Sequence, residues 1–152
     1  MKPLLILIGS FLISLLVLKL VTKQIDFQLA GKISMAIMLF FTALGHFMFT
    51  KGMAAMIPAF LPMKTELVYA TGILEILFAI GLVYPKYSYL TGILLILFFI
   101  LILPSNIKAA VDGLNYQTGE LDGHGLSYLW FRVPLQLLFI IWVYFSAVKF
   151  NV

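Results

Sequence analysis

The chain has 152 residues, 63% of them hydrophobic and 11% charged, with a net charge of +4 and no cysteine. Soluble domains carry about 45–50% apolar and about 25% charged residues, so this composition belongs to an integral membrane protein, of a length that suits one domain. The lack of cysteine excludes disulfides, thiolate metal sites, CxxC redox chemistry and covalently attached haem, and the lysines are scattered rather than clustered, which gives no basis for nucleic-acid binding.

A helical span needs about 20 mostly apolar residues, and about 17 suffice. Five segments qualify: residues 4–18, extendable to 21; 33–50; 67–84; 87–103; and 126–148. In lipid the backbone must satisfy its own hydrogen bonds, which makes these helices. They are too long and too uniformly apolar for barrel strands. The first follows Lys2 in the manner of a signal peptide, but no small-residue cleavage site comes before "LKLVTKQIDF", so it is expected to be retained. After the second, "KGMAAMIPAFLPMK" (51–64) is apolar yet broken by Pro58 and Pro62, and is expected to be interfacial or re-entrant. "YPKYS" after the third is long enough only for an antiparallel hairpin. The fourth span is expected to end at Pro104 in "LPSN", followed by a polar, flexible, aqueous loop over 104–125 that carries Asp112, Glu120 and Asp122.

Five spans put the termini on opposite sides. The N-terminal side, side A, then carries Lys2, Lys51, Lys64, Lys108 and Arg132; side B carries Lys19, Lys23, Lys32, Lys86 and Lys149. The basic count is tied. Three of the side-B lysines share the loop before the second span, which favours side B as cytoplasmic.

The stretch "TGILEILFAIGL" (71–82) recurs as "TGILLILFFILI" (91–102), with Glu75 where the second copy has Leu95. A charge at mid-membrane costs about 2.5–3.5 kcal/mol on insertion scales. The helical neighbours of Glu75 are Thr71, Gly72 and Ala79, a narrow stripe that lets another helix come close. Glu75 is therefore expected to face the bundle interior, as a functional acid or as an interhelical hydrogen bonder. His46, with Thr42 and Thr50 one turn either side, suits a pocket wall or an interfacial position. Arg132, with Gln136 at i+4, suits a ligand contact or a side chain snorkelling to the interface. Asn106 suits a ligand contact or a helix cap. His46, Asn106 and Arg132 all fall near side A, and Glu75 lies about 14 Å along the helix beyond Glu66 at 1.5 Å per residue. Together they predict a pocket open towards side A, floored by Glu75 and roofed by 51–64 and 105–125.

Other signals are weaker. Glu120, Asp122 and His124 in "GELDGHG" fit no metal-site spacing, and no bound metal is predicted. There is no GxGxxG, P-loop or HExxH.

In order, "ALGHFMF", "IPAFLP", "YATGILEILFAIGLVYP" and "LILPSNIKAAV" resemble the DoxX-like membrane protein family, over residues from about Ser34 to the C-terminus. The resemblance implies a four-helix core made of spans two to five (33–152), with the first helix and its loop (1–32) added outside it. The family takes its name from a small membrane subunit of a thiosulfate:quinone oxidoreductase, and its relatives are linked to redox and detoxification. Related four-helix folds include sterol-isomerase-like proteins and a receptor-assembly chaperone. His46, Glu75, Pro104 and Asn106 fall on positions that the family pattern highlights.

The sequence thus predicts an all-α bundle of five transmembrane helices in a bacterial inner membrane. It would hold a lipophilic or quinone-like ligand, with Glu75 moving a proton, His46 bonding a carbonyl, and Asn106, Arg132 and Gln136 at the polar end. With no electron carrier of its own, it would act in redox only as a subunit beside a partner. The alternatives are an assembly factor for another membrane protein, or a small solute or proton transporter that works as a homo-oligomer.

Overall fold

The computed structural model describes residues 2–149. It is all-helical, with no strand among the described residues. The helices are α1 (Lys2–Thr22), α2 (Phe27–Met48), α3 (Thr50–Met56), α4 (Lys64–Val83), α5 (Ser88–Val111) and α6 (Leu129–Val143). A 3₁₀ turn, Gly125–Tyr128, leads into α6, and a π-helical turn, Tyr144–Val148, follows it. Five helical stretches of 20–24 residues are long and apolar enough to cross a membrane: α1, α2, α4, α5 and the continuous Gly125–Val148. The all-α, five-span architecture is the one the hydrophobic segments predict.

Two boundaries differ from expectation, and each has a physical reason. Helix α2 begins at Phe27, six residues earlier than the apolar run. The Asp26 side chain accepts from the Leu29 N–H at 2.8 Å, which satisfies one of the donors that a helix start leaves open. Lys32 is therefore within α2 and half-buried, not in the loop. Helix α5 runs through Pro104 and stops at Val111. An interior proline removes a single hydrogen bond, here to the Ile100 carbonyl, and tilts the turn before it. Gln136 on α6 donates to the carbonyl of the preceding residue, Phe99, at 2.8 Å, which ties α6 to this part of α5. The stop comes from Gly113, whose left-handed backbone (φ 64°) closes a Schellman motif. Gly113 N–H bonds the Ala110 carbonyl at 3.2 Å, and Leu114 N–H bonds the Ala109 carbonyl at 2.7 Å.

Helix α2 is central. It packs against α1, α4 and the π turn, and buries eight residues from Ala30 to Ala43. Helix α1 buries only Leu7 and Ser14, and shows Leu5, Leu12, Ile13, Leu16 and Leu20 to its surroundings. Those exposed side chains would contact lipid. The core is formed by Met35, Met38, Leu39, Leu82, Leu95 and Phe99 with their neighbours.

The connection after α5 is folded rather than loose. Asn115 N–H donates to Glu120 O, Gly119 N–H to Asn115 O and Gly123 N–H to Gly113 O, all within 2.8 Å. This loop rests on α3: any side chain at Gly52 would collide with the Tyr116 carbonyl. Lys108 ties α5 to the same short helix by donating to the Ala55 carbonyl at 3.3 Å. The two segments predicted to lie together on side A are in contact.

Candidate functional site

Glu75 sits in α4, eight residues before its end at Val83, or about 12 Å along the axis. It is 4% exposed. The stripe that the sequence singles out does face inward: Gly72 and Ala79 are buried with it, against α2. Helices α2 and α4 touch closely at Gly72, where a Cβ would stand 2.9 Å from the His46 Cβ. That close approach lets the imidazole lie across α4.

The histidine ring is fixed at both nitrogens. Nδ1 is 3.1 Å from the Val68 carbonyl and 3.1 Å from Thr71 Oγ1. A carbonyl only accepts, so Nδ1 carries the proton. The Thr71 hydroxyl can give its own hydrogen to Leu67 O or Val68 O, each 2.9 Å away, and so can accept from the ring. Nε2 then points at Glu75 Oε1, 3.5 Å off. A single proton held between them would leave the pair neutral, as an imidazole beside a carboxylic acid or an imidazolium beside a carboxylate. A neutral pair would lower the cost of placing an acid at mid-membrane. The separation exceeds the usual 2.7–3.2 Å of an N–H···O bond. The second carboxyl oxygen, Glu75 Oε2, is buried with no hydrogen-bond partner.

The other predicted residues form a second cluster, between α5 and α6. Arg132 Nη2 donates to Asn106 Oδ1 at 3.0 Å. Asn106 is buried inside α5, not at a helix end, and its Nδ2 has no acceptor. One turn along α6 from Arg132, Gln136 is occupied with the Phe99 carbonyl. No hydrogen bond or ion pair among the described residues joins this cluster to His46 and Glu75.

The single open pocket expected from these residues is thus replaced by two closed polar pairs on different helix interfaces. The reason lies in helix register: His46 and Glu75 meet across α2 and α4, whereas Asn106 and Arg132 meet where α5 passes α6. Two apolar grooves do open on the surface. One, of about 330 Å³, lies among α1, α2 and α6 and is lined by Phe11, Gly31, Trp142 and Phe145. The other, of about 400 Å³, lies along the α4–α5 hairpin beside Leu77, Gly81, Tyr84 and Thr91. Neither is lined by any of the predicted site residues.

Sequence reasoning missed the anchoring of Nδ1 by Val68 and Thr71. Thr71 was visible as a neighbour of Glu75, but its link to His46 needs the crossing of two helices. It also missed the Trp142 indole, which donates to the Gly31 carbonyl at 3.1 Å. The available signal was chemical: an indole N–H in an apolar bundle needs an acceptor.

The family described as Domain of unknown function (DUF8561) matches residues 35–147, most of the chain, and the protein belongs to that family. The match contains His46, Glu75, Asn106, Arg132 and Gln136, and leaves α1 outside. No curated protein and no solved structure matches the chain.

Proposed function

We propose that this protein binds a lipophilic, quinone-like molecule at the His46–Glu75 pair and serves membrane redox as an accessory subunit in a bacterial cytoplasmic membrane. The observation that carries the reading is the free Glu75 Oε2. Leaving a buried polar atom unpaired costs about 1–3 kcal/mol, more if charged. An apolar residue would avoid that cost, as Leu95 does in the repeated frame. A quinone carbonyl suits the protonated acid as a hydrogen-bond acceptor, and the Nε2–Oε1 contact supplies a place to hold or pass one proton. The electrons would come from a redox partner. The resemblance to the DoxX-like family supports the same reading, since His46 and Glu75 are among the positions its pattern highlights. With Glu75 enclosed, access requires α2 and α4 to separate near the Gly72 contact.

The test is a titration of the purified chain with a short-chain ubiquinone analogue. Saturable binding, weakened by both His46→Ala and Glu75→Gln and with no turnover by the chain alone, supports the site. Absence of binding, with a pull-down partner whose assembly depends on this chain, favours an assembly factor instead. The broad exposed face of α1 is what recommends that second reading.

A further inference from the structure

Arg132 is the fourth residue of α6 and offers five N–H donors in a planar fork. Its contacts among the described residues are the bond to Asn106 Oδ1 and the Tyr128 ring, 6.0 Å from Cζ. The described ion pairs are His46–Glu75 and Lys108–Asp112, so Arg132 has no carboxylate partner among them. Asn106 is 6% exposed, and its Nδ2 is buried without an acceptor. Turning the amide over does not resolve this. The flipped group would set an NH₂ against the guanidinium, donor to donor, and would leave the oxygen without its donor. The orphan is therefore a donor by chemistry, beside a cation that has donors to spare.

Such a cluster, rich in donors and short of acceptors, is completed by an oxyanion. The guanidinium fork suits two oxygens of one phosphate, and the amide adds a third donor. The surroundings suit an amphiphile: Trp130, Val111, Leu126 and Ile107 are exposed apolar side chains near the same ends of α5 and α6. We propose that Asn106 and Arg132 form a phosphate-binding site that takes the phosphodiester of an anionic phospholipid, with its acyl chains along this face. The proposal does not rest on the His46–Glu75 reading, because the two pairs join different helices.

The test uses the full chain, purified and delipidated in detergent, then titrated with phosphatidylglycerol, phosphatidylcholine or inorganic phosphate. Native mass spectrometry reads retained lipid, and melting reads phosphate. The expected result is retention of phosphatidylglycerol at least about tenfold over phosphatidylcholine, and a loss of about tenfold or more in Asn106→Asp and Arg132→Gln. Asn106→Asp is the informative variant. It keeps an acceptor on Arg132 and exchanges the orphan donor for a carboxylate oxygen whose charge pairs with the guanidinium, so its melting temperature without lipid should stay close to that of the parent while binding falls. Arg132→Lys keeps the charge without the fork and should weaken binding with little effect on melting. Competition by inorganic phosphate alone, without preference between the lipids, would assign the same site to a free anion. Phosphatidylglycerol retention unchanged in both Asn106→Asp and Arg132→Gln overturns the proposal, as does equal retention of both lipids with no phosphate binding.

Discussion

Replacing Glu75 and His46 by leucine, singly and together, separates a structural pair from a functional one. In the parent, Glu75 Oε2 is already unpaired, and Oε1 has only the Nε2 contact at 3.5 Å. His46→Leu removes that contact and leaves a whole carboxyl group buried, at about 1–3 kcal/mol for each unpaired polar group and more for a charge. Glu75→Leu removes both oxygens and a mid-span acid worth about 2.5–3.5 kcal/mol on insertion scales, while leaving only Nε2 unpaired. The double variant leaves nothing unpaired. The expected order of stability is therefore the double variant and Glu75→Leu at or above the parent, and His46→Leu below it by about 1–3 kcal/mol. The coupling should exceed about 0.5 kcal/mol, beyond what independent sites show.

The assay is thermal unfolding of all four proteins in the same detergent, run beside quinone-analogue binding. Glu75→Leu should insert and melt normally yet bind at least about tenfold more weakly, equivalent to about 1.4 kcal/mol. If Glu75→Leu fails to fold while Glu75→Gln folds and binds fully, the carboxyl group is a packing device and proton transfer has no part in it. Additive single effects would show that the 3.5 Å contact carries no energy.

Two further outcomes are expected. A cysteine at Thr118, an exposed loop position on side A, should react with an impermeant thiol reagent in intact cells; labelling only after lysis would reverse the proposed orientation. Gln136→Leu should lower stability by about 0.5–1.5 kcal/mol, because it removes the bond that ties α6 to the Phe99 carbonyl of α5; unchanged melting would mean that this bond contributes nothing to the packing of α5 on α6.

The spans were legible because lipid allows a single backbone solution for a long apolar run. Their ends were less so, since apolarity says nothing about where the hydrogen-bond ladder stops. Asp26 starts α2 among polar residues, and Gly113 rather than Pro104 ends α5. Both signals were in the sequence, as a side-chain cap and a glycine just past a helix. Pro104 masks the second of them, because an interior proline is costly in an isolated helix. In the bundle, α5 continues through Pro104 beside α6, whose Gln136 bonds the Phe99 carbonyl, a relation 37 positions apart in the chain.

The site was legible as a set of residue types and illegible as an arrangement. Glu75 and Leu95 share a sequence frame, and both are buried, so burial does not distinguish them. What differs is the partner across the interface. Opposite Glu75 stands an imidazole whose other nitrogen is already held by Val68 and Thr71. Leu95 belongs to the same apolar cluster as Phe98 and Phe99. The carboxyl group of one copy has an imidazole of α2 3.5 Å away, whereas the same position in the other copy lies among apolar side chains. The repeat preserves the packing frame, and the crossing helix decides which copy can hold an acid.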